Sequence, residues 1–268
     1  MPRNHDETTT AWHNNDGTLS RRQQYAEAAH IITAQLAALP HAVAALITGH
    51  RDLAPTSLAP YAPPTAPMCR HAEQLAAATY SRPLLNHVYR CWLWAAIIAD
   101  HDNMSFDADA LYCAALLHDI GLAHNAGDLP PSSTPGCFTV TGAQQAATLL
   151  DEWGAPTATI DRVTDAIITH FNARVPTRSS NEAQLLHDAA YLDVVGIGVQ
   201  RTSPAERDAV LDVHPRTGFA AEFTAALKHE KRARPHSRAA LSYRLGAGVA
   251  IKLNPLEHIR QQKAASPR

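Results

Sequence analysis

Ala114-Ala115-Leu116-Leu117-His118-Asp119-Ile120-Gly121 decides how this chain is read. Four apolar residues run into a histidine and an aspartate, with isoleucine and glycine directly behind. Upstream, Ser105 precedes Asp107 and Asp109, which predicts an N-cap and an acidic first turn for a helix reaching Asp119. Gly121 falls where a terminating glycine belongs. His118 and Asp119 therefore stand at the polar end of an apolar helix. Neighbours on a helix point about 100° apart, so both reach one ion only where the helix ends or tilts. A charged aspartate buried there is costly unless paired or bound to a cation. The competing reading is a solvated helix terminus with a chance His-Asp pair, and this stretch alone leaves both open.

The flanking sequence is helical throughout. Ala26, Ala29, Ile32, Leu36 and Leu39 recur at spacings of three and four, predicting a helix that stops at Pro40, then a second run from His41 to Ile47. Five prolines between Pro55 and Pro67 predict an ordered loop crossing the domain. Thr141-Gly142-Ala143-Gln144 reads as a capping box for a helix to Trp153, and Ser203-Pro204-Ala205-Glu206 as another with proline at the first helical position. Helices are expected from about Thr157 to His170 and from about Glu182 to Val195. No hairpin dipeptide lies between alternating apolar runs. The expectation is an all-α fold, one helical bundle over residues 21–258 between flexible tails at 1–20 and 259–268.

Composition bounds the function. The 268 residues are 46% apolar and 18% charged, as in a globular protein, and the net charge of −2 draws the chain to neither nucleic acid nor anionic lipid. The basic stretch from Lys228 to Arg234 reads as a solvated helix end. Cys69, Cys91, Cys113 and Cys137 form no CxxC pair, which suits a reducing compartment. Met1 to Asn15 lacks the apolar core of a signal peptide, and the longest apolar run, Cys91 to Ala99, is too short to span a bilayer. A cytoplasmic protein with a small-molecule substrate is expected, with self-association left open.

Further ligand candidates stand at odd places for core residues. His87 begins a helix in Leu84-Leu85-Asn86-His87-Val88-Tyr89-Arg90, and Asp193 is a lone carboxylate in Ala190-Tyr191-Leu192-Asp193-Val194-Val195-Gly196. With His118 and Asp119 they make two imidazoles and two carboxylates, a set suited to one divalent transition metal such as Zn²⁺, with Fe²⁺ or Mn²⁺ as alternatives. His170 ends an amphipathic helix carrying Val163, Ile167 and Ile168, where it either lines the site or is a half-exposed residue favoured by the helix dipole. His124, six residues after His118, is either a proton shuttle or a surface histidine.

The order histidine, His-Asp, aspartate resembles the HD-domain superfamily of metal-dependent helical hydrolases, with His87, His118-Asp119 and Asp193 at the defining positions. Asn86-His87, His118 to Leu122, and Asp193 to Gly196 further resemble the cyanamide hydratase-like HD proteins. Their Phe-Glu-Val-x-Gly-Ala motif is Phe138-Thr139-Val140-Thr141-Gly142-Ala143 here. The resemblance spans roughly residues 80–200. It implies a metal that activates water for addition to an electrophilic carbon, such as the nitrile carbon of cyanamide, giving urea. Asp119 would orient that water, and His170 or His124 would protonate the nitrogen. Thr139 replaces the family's glutamate, and Phe171-Asn172 replace a Thr-Ser pair, so Phe138, Thr139, Phe171 and Asn172 are expected near the substrate. Phe138 stands where bimetallic members have a histidine, which implies one metal and disfavours a two-iron oxygenase. Phosphomonoester or nucleotide hydrolysis is the alternative activity, with Arg82, Arg90 and Arg174 available for phosphate. A non-catalytic sensor is a further one.

Overall fold

The computed structural model describes residues 17–47, 56–123 and 137–257, with side chains omitted at 45–47. Among them are eleven α-helices and no β-strand. They are α1 (Arg21–Ile47), α2 (Pro67–Thr79), α3 (Arg82–His101), α4 (Ala108–Leu117), α5 (Phe138–Glu152) and α6 (Thr157–Thr169). Then follow α7 (Asn181–Val195), α8 (Pro204–Val213), α9 (Phe219–Ala233), α10 (Arg238–Arg244) and α11 (Ala247–Lys252). No described helix is long and apolar enough to cross a membrane.

The core forms around helices that are apolar on every side. In α4 each residue from Ala110 to Leu117 is buried, and α3 is buried from Arg90 to Ala99. Such helices must be covered all round. α3 lies along α4 and α7, while α6 packs on α4, α5 and α7. α9, α10 and α11 close one end of the bundle, and α1 lies against α10. The proline-rich loop is ordered over its described part. Its Tyr61 carbonyl accepts from the Trp92 indole at 2.9 Å, and its Tyr61 hydroxyl donates to Asp100.

Several helix boundaries differ from the sequence expectation, each for a local reason. α1 continues through Pro40 to Ile47. Leu36 and Leu39 are exposed there, so water can reach the Leu36 carbonyl that proline leaves without a donor. α4 is capped by Asp107, whose carboxylate accepts from the Ala110 amide, rather than by Ser105, whose carbonyl accepts from Asn181. α5 begins at Phe138, so Thr141 lies inside its first turn and donates to the Phe138 carbonyl instead of capping. The expected box at Ser203 is present, with Ser203 and Glu206 each accepting from the other's backbone amide. Gly121 is not in a left-handed conformation. Its missing Cβ admits the Phe138 carbonyl, and Gly142 in turn sits against the Gly121 amide. The end of the expected N-terminal tail is fixed: Leu19 is buried and its amide donates to the His236 carbonyl at 2.9 Å. Residues 1–16 and 258–268 lie outside the described residues.

Candidate metal centre

Three imidazoles converge on the Asp119 carboxylate. His87 comes from the second turn of α3, His118 and Asp119 from the end of α4, and His170 from the end of α6. All four side chains are buried. Helix α4 ends at Leu117 and Asp119 leads into a tighter turn, which brings the adjacent His118 and Asp119 to the same point.

Each imidazole commits Nδ1 elsewhere. His118 Nδ1 is 2.8 Å from the Ala115 carbonyl, and His170 Nδ1 is 2.7 Å from the Ile167 carbonyl. His87 Nδ1 is 2.7 Å from Asp193 Oδ2. A carbonyl or carboxylate can only accept, so each Nδ1 carries its hydrogen and each Nε2 is left to face the centre. His87 Nε2 and His118 Nε2 are 3.2 Å apart, and both lie 3.4 Å from Asp119 Oδ2. Ligands bonded at 2.0–2.2 Å in a tetrahedral shell stand roughly 3.3–3.6 Å from one another. This triangle has that spacing. Neither Asp119 oxygen has a hydrogen-bond partner, an expensive state for a buried carboxylate with no cation. The donors thus fit a divalent ion of borderline softness. His170 Nε2 stands slightly further out, 4.0 Å from Asp119 Oδ1.

Burial pushes His118 and His170 below the usual imidazole range, which keeps them neutral. Burial would raise the Asp119 carboxyl, but the surrounding imidazoles outweigh it and hold the group at about 2. Burial also opposes charge on His87, yet Cys91, Asp119 and Asp193 raise it well above its ordinary value.

Asp193 stands one step further back than the sequence reading places it. Its oxygens receive Arg90 Nε and Nη2 at 2.8 Å each, the Trp94 indole at 2.9 Å and His87 Nδ1, with Arg216 Nη1 at 3.2 Å. Despite burial, Arg90 and Arg216 hold its carboxyl well below the usual range. It therefore fixes the orientation of His87 and would raise the basicity of Nε2 toward an ion. Arg90 and Trp94 follow His87 by three and seven residues, on the same helix face, a signal available in the sequence. Arg216 lies in a loop without periodicity and gave none. Arg90, a candidate phosphate residue, is occupied by this pair and by the His214 and Pro215 carbonyls.

A cleft reaches the centre from outside, with about 630 Å³ of open space including its mouth. His118, Asp119 and His170 form its floor, and Phe171, Tyr191, Val195 and Phe223 are among its walls. Ile31 and Gln35 of α1 form part of its rim, which nothing in their sequence spacing indicated. Of the four expected substrate residues, Phe171 lines the cleft. Phe138 lies behind it, edge-on to His170 and Phe171 at 5.9 and 5.2 Å. Thr139 and Asn172 are buried around Arg238, which donates to Thr139 Oγ1 at 2.8 Å and to Asn172 Oδ1. His124 lies outside the described residues.

Residues 84–194 match the family model for the HD domain, a family that binds divalent metals. The match begins in the first turn of α3 and ends one residue past Asp193, so it contains every residue of the cluster. No curated protein matches the chain.

Proposed function

We propose that this chain, whose residues 84–194 match the HD-domain family, is a metal-dependent enzyme that adds water to a small uncharged electrophile of the nitrile type. One observation carries the reading. The Nε2 atoms and bare carboxylate form the floor of a cleft whose described walls contain no lysine or arginine. A phosphate ester needs cationic groups for its oxygens. A neutral nitrile needs only apolar walls, a cation and a proton carrier.

His87, His118 and Asp119 would hold the ion, which supplies a Lewis acid and lowers the pKa of a water it binds. Asp193, clamped by Arg90 and Arg216, keeps His87 turned toward it. His170 is neutral, lies against Asp119 and opens to the cleft. It can take a proton from the attacking water and return it to the nitrogen that gains electron density, with Asp119 stabilising the transient imidazolium. Water thereby adds across the carbon–nitrogen bond, and cyanamide would give urea. The resemblance puts Phe138 where a second-metal histidine would stand, and its ring packs on His170 and Phe171, so one ion per chain is proposed. The apolar walls of Phe171 and Phe223 favour a nitrile with an apolar substituent over cyanamide.

The test is metal analysis followed by turnover of cyanamide, small organic nitriles and nucleotides by one preparation. Hydration of a nitrile with about one bound ion per chain supports the reading. Release of phosphate from a nucleotide with no nitrile turnover overturns it and selects phosphohydrolysis.

A further inference from the structure

Helix α1 is a surface helix with two apolar faces. From Ala28 to Ile47 it contains no aspartate, glutamate, lysine or arginine. One face, with the buried Ile31, turns inward. The other carries Tyr25, Ala29, Ile32, Leu36, Leu39 and Val43, all exposed, and its large side chains are 45% to 78% accessible. The spacing is four, three, four, three, four, the seam of a two-stranded coiled coil. A contiguous apolar stripe of this length on a monomer marks an interface.

We infer that this seam pairs antiparallel with α1 of a second copy of the chain. The seam is its own complement when reversed about residue 34. Tyr25 then faces the partner's Val43, Ala29 faces the partner's Leu39, and Ile32 faces the partner's Leu36. Large residues meet small ones in the first two layers, and Ile meets Leu in the central pair. A parallel pairing would set alanine against alanine and tyrosine against tyrosine, leaving a void beside a clash. Charge points the same way. Reversal carries the exposed Arg21 and Arg22 to the C-terminal end of the partner helix, where cations are favoured, whereas parallel pairing would bring four arginines together. The segments outside the described residues (1–16, 48–55, 124–136 and 258–268) contain no apolar three-four repeat that matches the seam. A two-fold pairing of this kind is closed and buries the same patch on both chains. Because Ile31 and Gln35 on the inner face border the cleft, the pairing also steadies its rim.

Sedimentation of the full chain at tens of micromolar should show a dimer. Leu36→Glu, at an exposed site, should leave the helical spectrum unchanged while weakening the dimer at least ~100-fold, because it buries a charge twice over. Register is read by oxidation of cysteine variants; the four native cysteines are all buried. A mixture of Ile32→Cys and Leu36→Cys chains should cross-link to each other, and neither alone should do so. A monomer at these concentrations, a dimer indifferent to Leu36→Glu, or cross-linking of Ile32→Cys with itself overturns the inference.

Discussion

His118 and His170 perform the same local act on two helices: each donates Nδ1–H to a carbonyl three residues back and turns Nε2 to the centre. Their expected phenotypes differ nonetheless. His118→Ala removes one corner of the ligand triangle and should abolish stoichiometric metal binding. His170→Ala should retain the ion and lose about 10²–10⁴-fold in turnover, the usual cost of a lost proton carrier. Equal metal loss in both would place His170 among the ligands. A second expectation concerns His214, stacked on Tyr89 and pushed down to about 4 by burial and by Arg90 and Arg82. Between that value and its unfolded value of about 6.5, the unfolded chain binds the extra proton, so stability falls as pH drops through this window. His214→Gln should flatten that part of a denaturation-against-pH curve. At this scale the sequence was informative where chemistry was odd for its place: His87, His118 and Asp119 stand among apolar residues. It did not show that Asp193 serves His87, because that depends on Arg216 arriving from a distant loop.

At the scale of elements, the centre depends on how closely the end of α4 meets the start of α5. Gly121 and Gly142 lie against each other's segments, and a Cβ at Gly121 would collide with the Phe138 carbonyl. That atom belongs to backbone and does not yield cheaply. Gly121→Ala should therefore destabilise the fold by about 1–3 kcal/mol and displace Asp119, two residues away, with weakened metal affinity. Calorimetry and a metal titration of one variant check both. The sequence marked α6, α7 and α8 well, since apolar runs and boundary signals agree there. It misread boundaries where two devices compete: Asp107 over Ser105, and Cys137 rather than Thr141 before α5. It read α1 as two helices because proline usually ends one; an exposed site lowers that cost. The repeat that revealed α1 turns outward, so periodicity identified the helix without telling which face is covered.

At the scale of the whole molecule, α3, α4, α6 and α7 bring together residues as far apart as His87 and Asp193, and the ion would bind only when all are assembled. Binding to the folded state alone stabilises it by RT ln(1 + [L]/Kd), about 4 kcal/mol at a thousandfold excess over Kd. Chelation should accordingly lower the melting temperature on the order of 10 °C in a domain of this size, and readdition of Zn²⁺ should restore it. A melt unchanged by exhaustive chelation would count against the centre as a structural cation site.

The Trp94 indole donates its N–H to the same carboxylate that orients His87. An ion held by His87 Nε2 would polarise the imidazole and strengthen the Nδ1–H···Asp193 bond, altering the charge felt by the buried indole. Trp94 would thus serve as an optical gauge of occupancy. Intrinsic emission recorded during a metal titration should change with saturation, and Trp94→Phe should silence the change while Trp92 and Trp153 continue to glow.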